Sequence, residues 1–223
     1  GVTPTDWIFP FFLFIVGVAI TFSLTKRKER GDDQKKLFLQ ILRRTVILFL
    51  LGLILAGFPY FDLSSIRIPG VLQRIAVVYF ISSLIFLKTD AKFIAYLSGF
   101  LLLIYWGLMT LVPVPGVGYA NLEPTTNLAA WLDKTLLEGH LWKATKVWDP
   151  EGILSTIPAV STCLLGILTG SWLRKNIDPA VKVVWLFVFG NFALAGGIIW
   201  DIWFPINKSL WTSSYVLYTT GLA

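Results

Sequence analysis

Polar and ionisable residues stand where long apolar runs of this chain begin, and such positions can hold reactive groups in a membrane bundle. Asp6 opens the first run, and Arg67 and Arg74 bracket the start of the third, with Gln73 between them. Because ionisable groups near or within a membrane span are costly, each of them is a candidate for function. Pro69 predicts the start of the helix, so Arg67 is expected on the outer rim and Arg74 is expected to point into the bundle.

The only histidine, His140, lies before the fifth run. Its side chain is suited to general-base catalysis near neutral pH, although a lone loop histidine is more often a surface hydrogen-bonding group. In the tetrapeptide Asp149-Pro150-Glu151-Gly152, Asp149 is predicted to cap the next helix, with Pro150 in its first turn and Glu151 near the positive end of its dipole. Capping accounts for the tetrapeptide without catalysis, so both interpretations stay open.

Two further polar pairs border apolar runs. Asn207 and Lys208 lead into the seventh run, and Arg43 and Arg44 lie just inside the second. For the two arginines, anchoring at the membrane interface competes with contact to a phosphorylated ligand that enters from the cytoplasm.

Several familiar sites are missing from the sequence. It has no Cys/His cluster with metal spacing, no phosphate-binding loop ending in GK[ST] and no G-x-S-x-G elbow, so neither a metal nor ATP hydrolysis is expected. The one cysteine, Cys163, lies in an apolar run and is interpreted as a small buried hydrophobic residue.

The composition is that of a membrane protein. Hydrophobic residues make up 56% of the chain and charged residues 14%, and the mean hydropathy is +0.72, whereas soluble domains are about a quarter charged. We therefore predict an all-α, polytopic transmembrane helix bundle with about six full spans and one partial span. The predicted spans are 7–24, 37–57, 71–87, 92–112, 152–173, 182–203 and the partial 210–223.

The distribution of positive charge predicts the orientation. Most of the 19 Lys and Arg residues fall in or beside residues 25–36, 88–92 and 174–182, which are therefore expected in the cytoplasm. The net charge of +6 serves anchoring and topology, and no nucleic-acid partner is expected, because no basic face or reading motif is present. The predicted location is a multi-pass integral membrane protein, in the inner membrane if the source is bacterial.

The longest connection, residues 113–151, is expected outside the cell and ordered. It carries Trp131, Trp142 and Trp148 and an amphipathic stretch from Leu128 to Leu137. Aromatic rings there suit stacking on sugar rings, and an interfacial helix anchored by the same tryptophans is an equal alternative. The chain begins without Met and stops inside an apolar run, so residues 1–223 are expected to be one transmembrane domain cut from a longer protein.

Four blocks of the sequence together resemble one family. They read DWIFPFFLFIVGVAITFSL, RIPGVLQRIAVVYF, WDPEGILSTIPAVSTCLLG and PINKSLWTSSYVLYTTGLA. Their content, and their order over nearly the whole chain, are similar to those of the heparan-alpha-glucosaminide N-acetyltransferase family and its bacterial relatives. The length and spacing of the pattern favour a bacterial member.

The resemblance implies a reaction. Family enzymes take an acetyl group from cytoplasmic acetyl-CoA, used as a co-substrate, and deliver it across the membrane to the amine of a terminal glucosamine. The amine must attack as the free base, so a general base is needed near the outer side, and hydrogen-bond donors would stabilise the developing oxyanion. The implied partners are the lipid bilayer and an amino-sugar acceptor.

The resemblance also implies roles for particular residues. The histidine regarded as catalytic in the family lies in an external loop before the block that opens at Asp6, so it falls upstream of this chain, and Asp6 is the candidate for orienting it. His140 matches a different position and is kept only as a substrate-binding candidate. The matching blocks carry over as site-lining candidates Arg67, Gln73, Arg74, Asp149, Glu151, Asn207 and Lys208. Arg43 and Arg44 are candidates for the nucleotide end of CoA, and the fragment alone is expected to be inactive.

Two other functions compete with the acetyltransferase. A permease for amino sugars or N-acetylglucosamine would favour internal repeats and polar residues through the midplane, and neither is evident here. An assembly subunit would explain the Gly166-xxx-Gly170 spacing, which favours close helix packing, but not the polar groups on the outer side. A homodimer is a further expectation, because Gly-lined helices often pair.

Overall fold

A computed structural model describes residues 3–223, and that part of the chain is helical with no strand. A single 3₁₀ turn, Pro4–Trp7, leads directly into the first helix. The helices are α1 Ile8–Glu29, α2 Gln34–Gly57, α3 Val71–Lys88, α4 Ala91–Leu111, α5 Leu128–Leu137, α6 Thr156–Leu173, α7 Pro179–Trp200 and α8 Ser213–Leu222. The predicted all-α fold is confirmed.

Six of these helices are long and apolar enough to cross a membrane, namely α1 with its preceding turn, α2, α3, α4, α6 and α7. Helices α2, α7 and α8 differ from the predicted spans by up to three residues at their ends, and the boundaries of α1 and α6 differ by more. Helix α1 continues to Glu29, so that three cations of the basic cluster lie in its last turn, where they complement the negative end of the helix dipole. Helix α6 starts at Thr156 rather than 152, because the preceding residues form a hydrogen-bonded loop.

Helix α6 is the centre of the bundle and packs against α1, α3, α4 and α8. Its glycines let the backbone of α1 approach closely. A Cβ atom at Gly166 would lie 3.1 Å from the Cα atom of Phe14, and one at Gly170 would lie 3.0 Å from the Cα atom of Val18. The Gly166-xxx-Gly170 spacing therefore serves packing within this chain and does not call for a second copy.

Helices α2 and α7 lie on the periphery, where α2 packs on α3 and α7 packs on α8. Helix α7 presents large apolar side chains outward, for example Phe187 (69% exposed) and Phe192 (74% exposed). In a helix that spans a membrane, such side chains face the acyl chains, so the exposed apolar surface is expected there.

Alternation of the spans gives the bundle two ends. One end, called here the site end, holds the turn before α1 and the connections 58–70, 112–155 and 201–212. The opposite end, called the basic end, holds the short connections 30–33, 89–90 and 174–178. At the basic end the Lys28 ammonium donates to the carbonyl oxygens of Phe86 and Thr89, each at 2.6 Å, and so ties α1 to the end of α3.

Candidate functional site

The site end is held together by an arginine that joins two connections. The Arg67 guanidinium donates to both carboxylate oxygens of Asp149, at 2.8 and 2.5 Å, and to Glu151 Oε2 at 2.5 Å. The fork of the guanidinium matches the planar carboxylate, which makes this the strong form of an ion pair. The guanidinium also lies over the Trp142 ring, with its Cζ atom 5.5 Å from the ring centroid. We call Arg67, Asp149 and Glu151 the ion-pair group.

Asp149 is almost fully buried, and its remaining hydrogen-bonding capacity is used by the backbone. Its carboxylate accepts from the backbone N–H groups of Trp142 and Glu151, both at 3.0 Å. The prediction that Asp149 caps a helix, with Pro150 in the first turn, is wrong, because α6 begins later with Ser155 at the N-cap position. Asp149 is instead a buried acceptor for Arg67 and for the loop that carries Asp149 itself.

A second buried carboxylate, Asp133 on α5, lies beneath this loop and is 1% exposed. It accepts from the backbone N–H of Ile153 at 2.9 Å and from that of Asp149 at 3.3 Å. Burial raises the pKa of Asp133 to about 6, against the lowering effect of those two hydrogen bonds. Asp133 therefore titrates close to neutral pH.

Burial also shifts the pKa values of two members of the ion-pair group, Glu151 and Arg67. Desolvation raises the pKa of Glu151, although the positive charges of Arg74 and Arg67 oppose that effect. Burial disfavours the charged form of Arg67, but the hydrogen bond to Asp149 and the negative charge of that residue outweigh the penalty and raise the pKa of the guanidinium. The arginine stays charged and holds the two acids in place.

Arg74 points into the bundle, as the sequence predicted, and is 3% exposed. One terminal nitrogen donates to the carbonyl oxygen of Gly152 at 2.9 Å and to the hydroxyl of Ser155. The guanidinium lies 5.3 Å from the centroid of the Trp211 ring. Its Nε and Nη1 atoms have no hydrogen-bond partner among residues 3–223. A buried donor without a partner is costly, so these two N–H groups are candidates for a role beyond packing.

Gln73 lines a cavity of about 470 Å³. The cavity is bordered by α2, the 58–70 connection, the start of α3 and residues Trp142 and Lys143 of the 112–155 connection. Gln73 is 5% exposed, and its Nε2 atom has no hydrogen-bond partner in the described part of the chain. Glycines on both sides leave room for the carboxamide, since a Cβ atom at Gly52 or at Gly70 would lie 3.1 or 3.2 Å from Nε2. Arg67 also lines this cavity, which therefore adjoins the ion-pair group.

His140 ties the two connections together through the backbone. Its Nδ1 atom lies 2.9 Å from the carbonyl oxygen of Ile66, and its own carbonyl oxygen accepts from the N–H of Ile68 at 3.0 Å. Because a carbonyl oxygen can only accept, Nδ1 must carry the proton in this contact. These bonds fix the position of His140 beside the ion-pair group, and substrate binding by His140 stays a prediction.

Asp6 and Lys208 form a separate ion pair at the site end, with 3.1 Å between the Lys208 ammonium and Asp6 Oδ1. Asp6 Oδ2 accepts from the backbone N–H and the hydroxyl of Thr3, both at 2.9 Å. Asn207 closes the 201–212 connection, because its side-chain oxygen accepts from the N–H of Leu210 at 3.2 Å. Trp211 in the same connection lies between Arg74 and the start of α1. Its ring faces the Arg74 guanidinium and packs edge-on against Phe9, with 5.0 Å between the ring centroids.

Comparison with known proteins finds one matching family model and two similar curated proteins. A family model described as a domain of unknown function, DUF5009, matches residues 1–161. The chain belongs to the DUF5009 family. It is also similar to the Homo sapiens protein named heparan-alpha-glucosaminide N-acetyltransferase, with 29% identity over 277 residues that cover 100% of this chain and 42% of the relative. The Mus musculus protein of the same name is 29% identical over 270 residues, which cover 97% of this chain and 41% of the relative.

The predicted resemblance is therefore confirmed over the whole chain, which spans about two-fifths of the length of these curated relatives. The DUF5009 match includes the ion-pair group and the cavity but ends before Asn207 and Lys208. Both curated relatives align across that last part as well.

The structure does not bring every candidate of this DUF5009 chain to one place. Arg43 and Arg44 are exposed in the half of α2 nearer the basic end, away from the ion-pair group. A role in holding CoA stays a prediction for both. Among residues 3–223 no group of His, Cys, Asp and Glu side chains is suited to a metal ion.

Sequence reasoning missed Asp133 and the glycine pair beside Gln73. Asp133 follows Ala129 and Ala130 at helical spacing, so all three share the buried face of α5. An acid on the apolar face of an amphipathic helix was the available signal. For Gly52 no such signal existed, because only the packing of α2 on α3 brings it to Gln73, whereas Gly70 precedes Gln73 by three residues at the start of α3.

Proposed function

We propose that the full-length protein is a transmembrane acetyltransferase that moves the acetyl group of acetyl-CoA to the amine of a glucosamine-type sugar. The donor is taken from the basic end, which lies in the cytoplasm, and the acceptor binds at the site end on the outer side. The observation that carries the proposal is the similarity of the whole chain to two curated heparan-alpha-glucosaminide N-acetyltransferases. The polar residues that the resemblance marks as site-lining gather at one end of the bundle, which agrees with an acceptor site there.

The chemical step needs a free amine, an oriented base and a stabilised oxyanion. The amine nitrogen attacks the thioester carbonyl carbon, the carbon–sulfur bond breaks, and CoA leaves as a thiolate. The proton lost by the amine passes to a base, and the thiolate takes up a proton. By resemblance the base is a histidine in the loop before Asp6, and Asp6 is the positioning residue that orients it.

The geometry supports distinct roles for the residues of the site end. Trp142 offers an aromatic face beside the cavity. Arg67 lies over the Trp142 ring and is held there by Asp149 and Glu151. Gln73 supplies an unused amide donor to the same cavity. The unused N–H groups of buried Arg74 suit a developing oxyanion, because a donor in a dry site needs little reorganisation to stabilise one.

An amino-sugar permease is not favoured. Asn191, an exception in the otherwise apolar midplane, donates to the carbonyl oxygen of Phe187 in its own helix at 2.8 Å and is exposed on the periphery. That bond uses the side chain locally and does not line a path through the bundle.

Reconstitution of the full-length protein tests the proposal. Labelled acetyl-CoA is supplied at the basic end and glucosamine at the site end, beside the variant Asp6→Asn and the control Asp62→Asn. Asp62 is an exposed acid at the same end, and its carboxylate accepts from the hydroxyls of its neighbours Ser64 and Ser65. We expect acetylated sugar, with kcat at least about tenfold lower in Asp6→Asn, an unchanged KM, and no change in the control. Glucosamine or N-acetylglucosamine that crosses the membrane without acetyl-CoA would overturn the proposal.

A further inference from the structure

The cavity between α2 and α3, called here the α2–α3 cavity, lies at the depth where lipid meets the aqueous phase. Its floor is formed by the last turns of α2 from Gly52 onward and by the first turn of α3. Both segments are the site-end termini of helices that cross the membrane. Its rim is formed by Ser65 and Trp142, which lie in the connections outside the spans. The cavity is therefore expected to open both to the lipid bilayer and to the aqueous phase.

The lipid-facing side of the cavity is apolar. Leu55 on α2 is 68% exposed and Val71 on α3 is 47% exposed, and both line the cavity. Because these residues belong to membrane-spanning helices, what they are exposed to is the acyl-chain region of the leaflet at the site end. A chain that lies between Leu55 and Val71 would pass from the cavity into the bilayer without crossing a polar surface.

The inner side of the cavity carries an unused hydrogen-bond donor. Gln73 is 5% exposed and its buried Nε2 atom has no partner in the described residues, although a buried donor without a partner is costly. The carboxamide packs against the glycines at positions 52 and 70, where a Cβ atom would force the side chain of Gln73 to shift. A ligand group that satisfies this donor carries an acceptor such as a hydroxyl or carbonyl oxygen, and a small shift of the Gln73 side chain brings the two into contact.

The cavity lining offers no unpaired buried cation among the described residues, so it is not suited to an anionic headgroup. Arg67 is neutralised by Asp149 and Glu151, and the remaining cation of the lining, Lys143, lies at the exposed rim. An aromatic ring, an amide and neutralised charges are suited to a hydroxylated ring such as a sugar. A sugar at Gln73 and an apolar chain between Leu55 and Val71 belong to one amphiphile.

We infer that the α2–α3 cavity binds an acceptor that is anchored in the membrane, namely an amino sugar linked to a long apolar chain. The sugar lies against Trp142 and Gln73, and the chain leaves between Leu55 and Val71 into the leaflet at the site end. The inference rests on the proposed function and gives its acceptor a class: a glycolipid, in place of a sugar free in solution.

The test compares two acceptors with the full-length protein in nanodiscs, methyl glucosaminide and a long-chain alkyl glucosaminide. A lower KM for the alkyl acceptor alone proves little, because the chain concentrates that acceptor in the bilayer. The variant Leu55→Trp is therefore compared with Leu50→Trp, since Leu50 is 52% exposed on the same helix but does not line the cavity. We expect Leu55→Trp to raise the ratio of alkyl to methyl KM at least about tenfold, the scale of discrimination by an apolar pocket, and Leu50→Trp to leave that ratio unchanged. Equal ratios in both variants overturn the inference.

A second readout does not depend on acetyl transfer. An alkyl glucosaminide with a photoreactive group in its chain is irradiated with the protein, and the labelled peptides are sequenced. We expect labels beside Leu55 and Val71, with competition by unlabelled alkyl glucosaminide. Such labelling without any acetylated product would refute the proposed acetyl transfer while the glycolipid site stands. Product formed from both acceptors, with labels scattered along the lipid-facing helices, would leave the transferase in place and refute the glycolipid site.

Discussion

Arg67 and Asp149 lie 82 residues apart in the sequence, yet the guanidinium of one donates to both carboxylate oxygens of the other. The carboxylate is fully buried, whereas the arginine side chain is 25% exposed. The pair joins the connection between α2 and α3 to the connection between α4 and α6. Both connections form the rim of the candidate site, so the pair fixes the shape of that rim.

Loss of Arg67 should destabilise the protein strongly. The change Arg67→Ala leaves the Asp149 carboxylate buried without its partner, which typically costs about 3–5 kcal/mol. We expect a clear fall in the Tm of the purified protein in detergent, followed by intrinsic fluorescence, and a smaller fall for Arg67→Lys, which keeps the charge but not the two-pronged contact.

The matched control for that prediction is Arg27→Ala at the basic end. Arg27 and Asp32 also form an ion pair, at 3.2 Å, but their side chains are 31% and 34% exposed. Exposed pairs contribute about 0–1 kcal/mol, so the control should unfold near the wild-type temperature. Equal losses in the two variants would mean that burial of Asp149 does not govern the effect.

Asp133 should make stability depend on pH. Its pKa is about 6 in the folded protein against an ordinary value of 3.8, so between these values the unfolded chain releases a proton that the folded protein keeps. The contribution of Asp133 to the free energy of unfolding therefore falls as pH rises from about 4 to above 6, by about 3 kcal/mol in all.

The variant Asp133→Asn isolates that contribution. Its carboxamide oxygen can still accept from the N–H of Ile153, but it has no proton to lose. The Tm of the wild type minus that of the variant should decrease from pH 4 to pH 7. A difference that is constant or increases over this range would contradict a raised pKa at Asp133.

The helices were predictable from the sequence because each depends on a local apolar run, whereas the site was predictable only in part. The inward direction of Arg74 followed from its place one turn into α3. The cap assigned to Asp149 was wrong, because its real partner, Arg67, is remote in the sequence and no local pattern reveals such a contact. Asp133 was missed for the same reason, since its role rests on the backbone N–H groups of a loop that folds over α5.

The α1–α6 contact predicts a strong asymmetry between two glycines. In Gly166→Ala the new Cβ atom meets the backbone of Phe14, with the Cα atom at 3.1 Å, so the helices must separate, at a cost of about 1–3 kcal/mol. In Gly99→Ala on α4 nothing lies within 4 Å, and removal of a helical glycine should be neutral or stabilise by up to about 1 kcal/mol. Thermal unfolding of both variants measures the difference, and a Gly166→Ala protein as stable as Gly99→Ala would refute the close contact.

Cysteine labelling should establish the orientation of the bundle. Cys163 is fully buried and should give little background with a membrane-impermeant maleimide. Lys134→Cys places a thiol on the exposed face of α5 at the site end. Lys175→Cys places one at an exposed position of the 174–178 connection at the basic end. Because the positive-inside rule predicts the cation-rich connections in the cytoplasm, we expect label on Lys134→Cys in intact cells and on Lys175→Cys only after permeabilisation. The reverse pattern would put the candidate site on the same side as cytoplasmic acetyl-CoA, and transfer across the membrane would then be unnecessary.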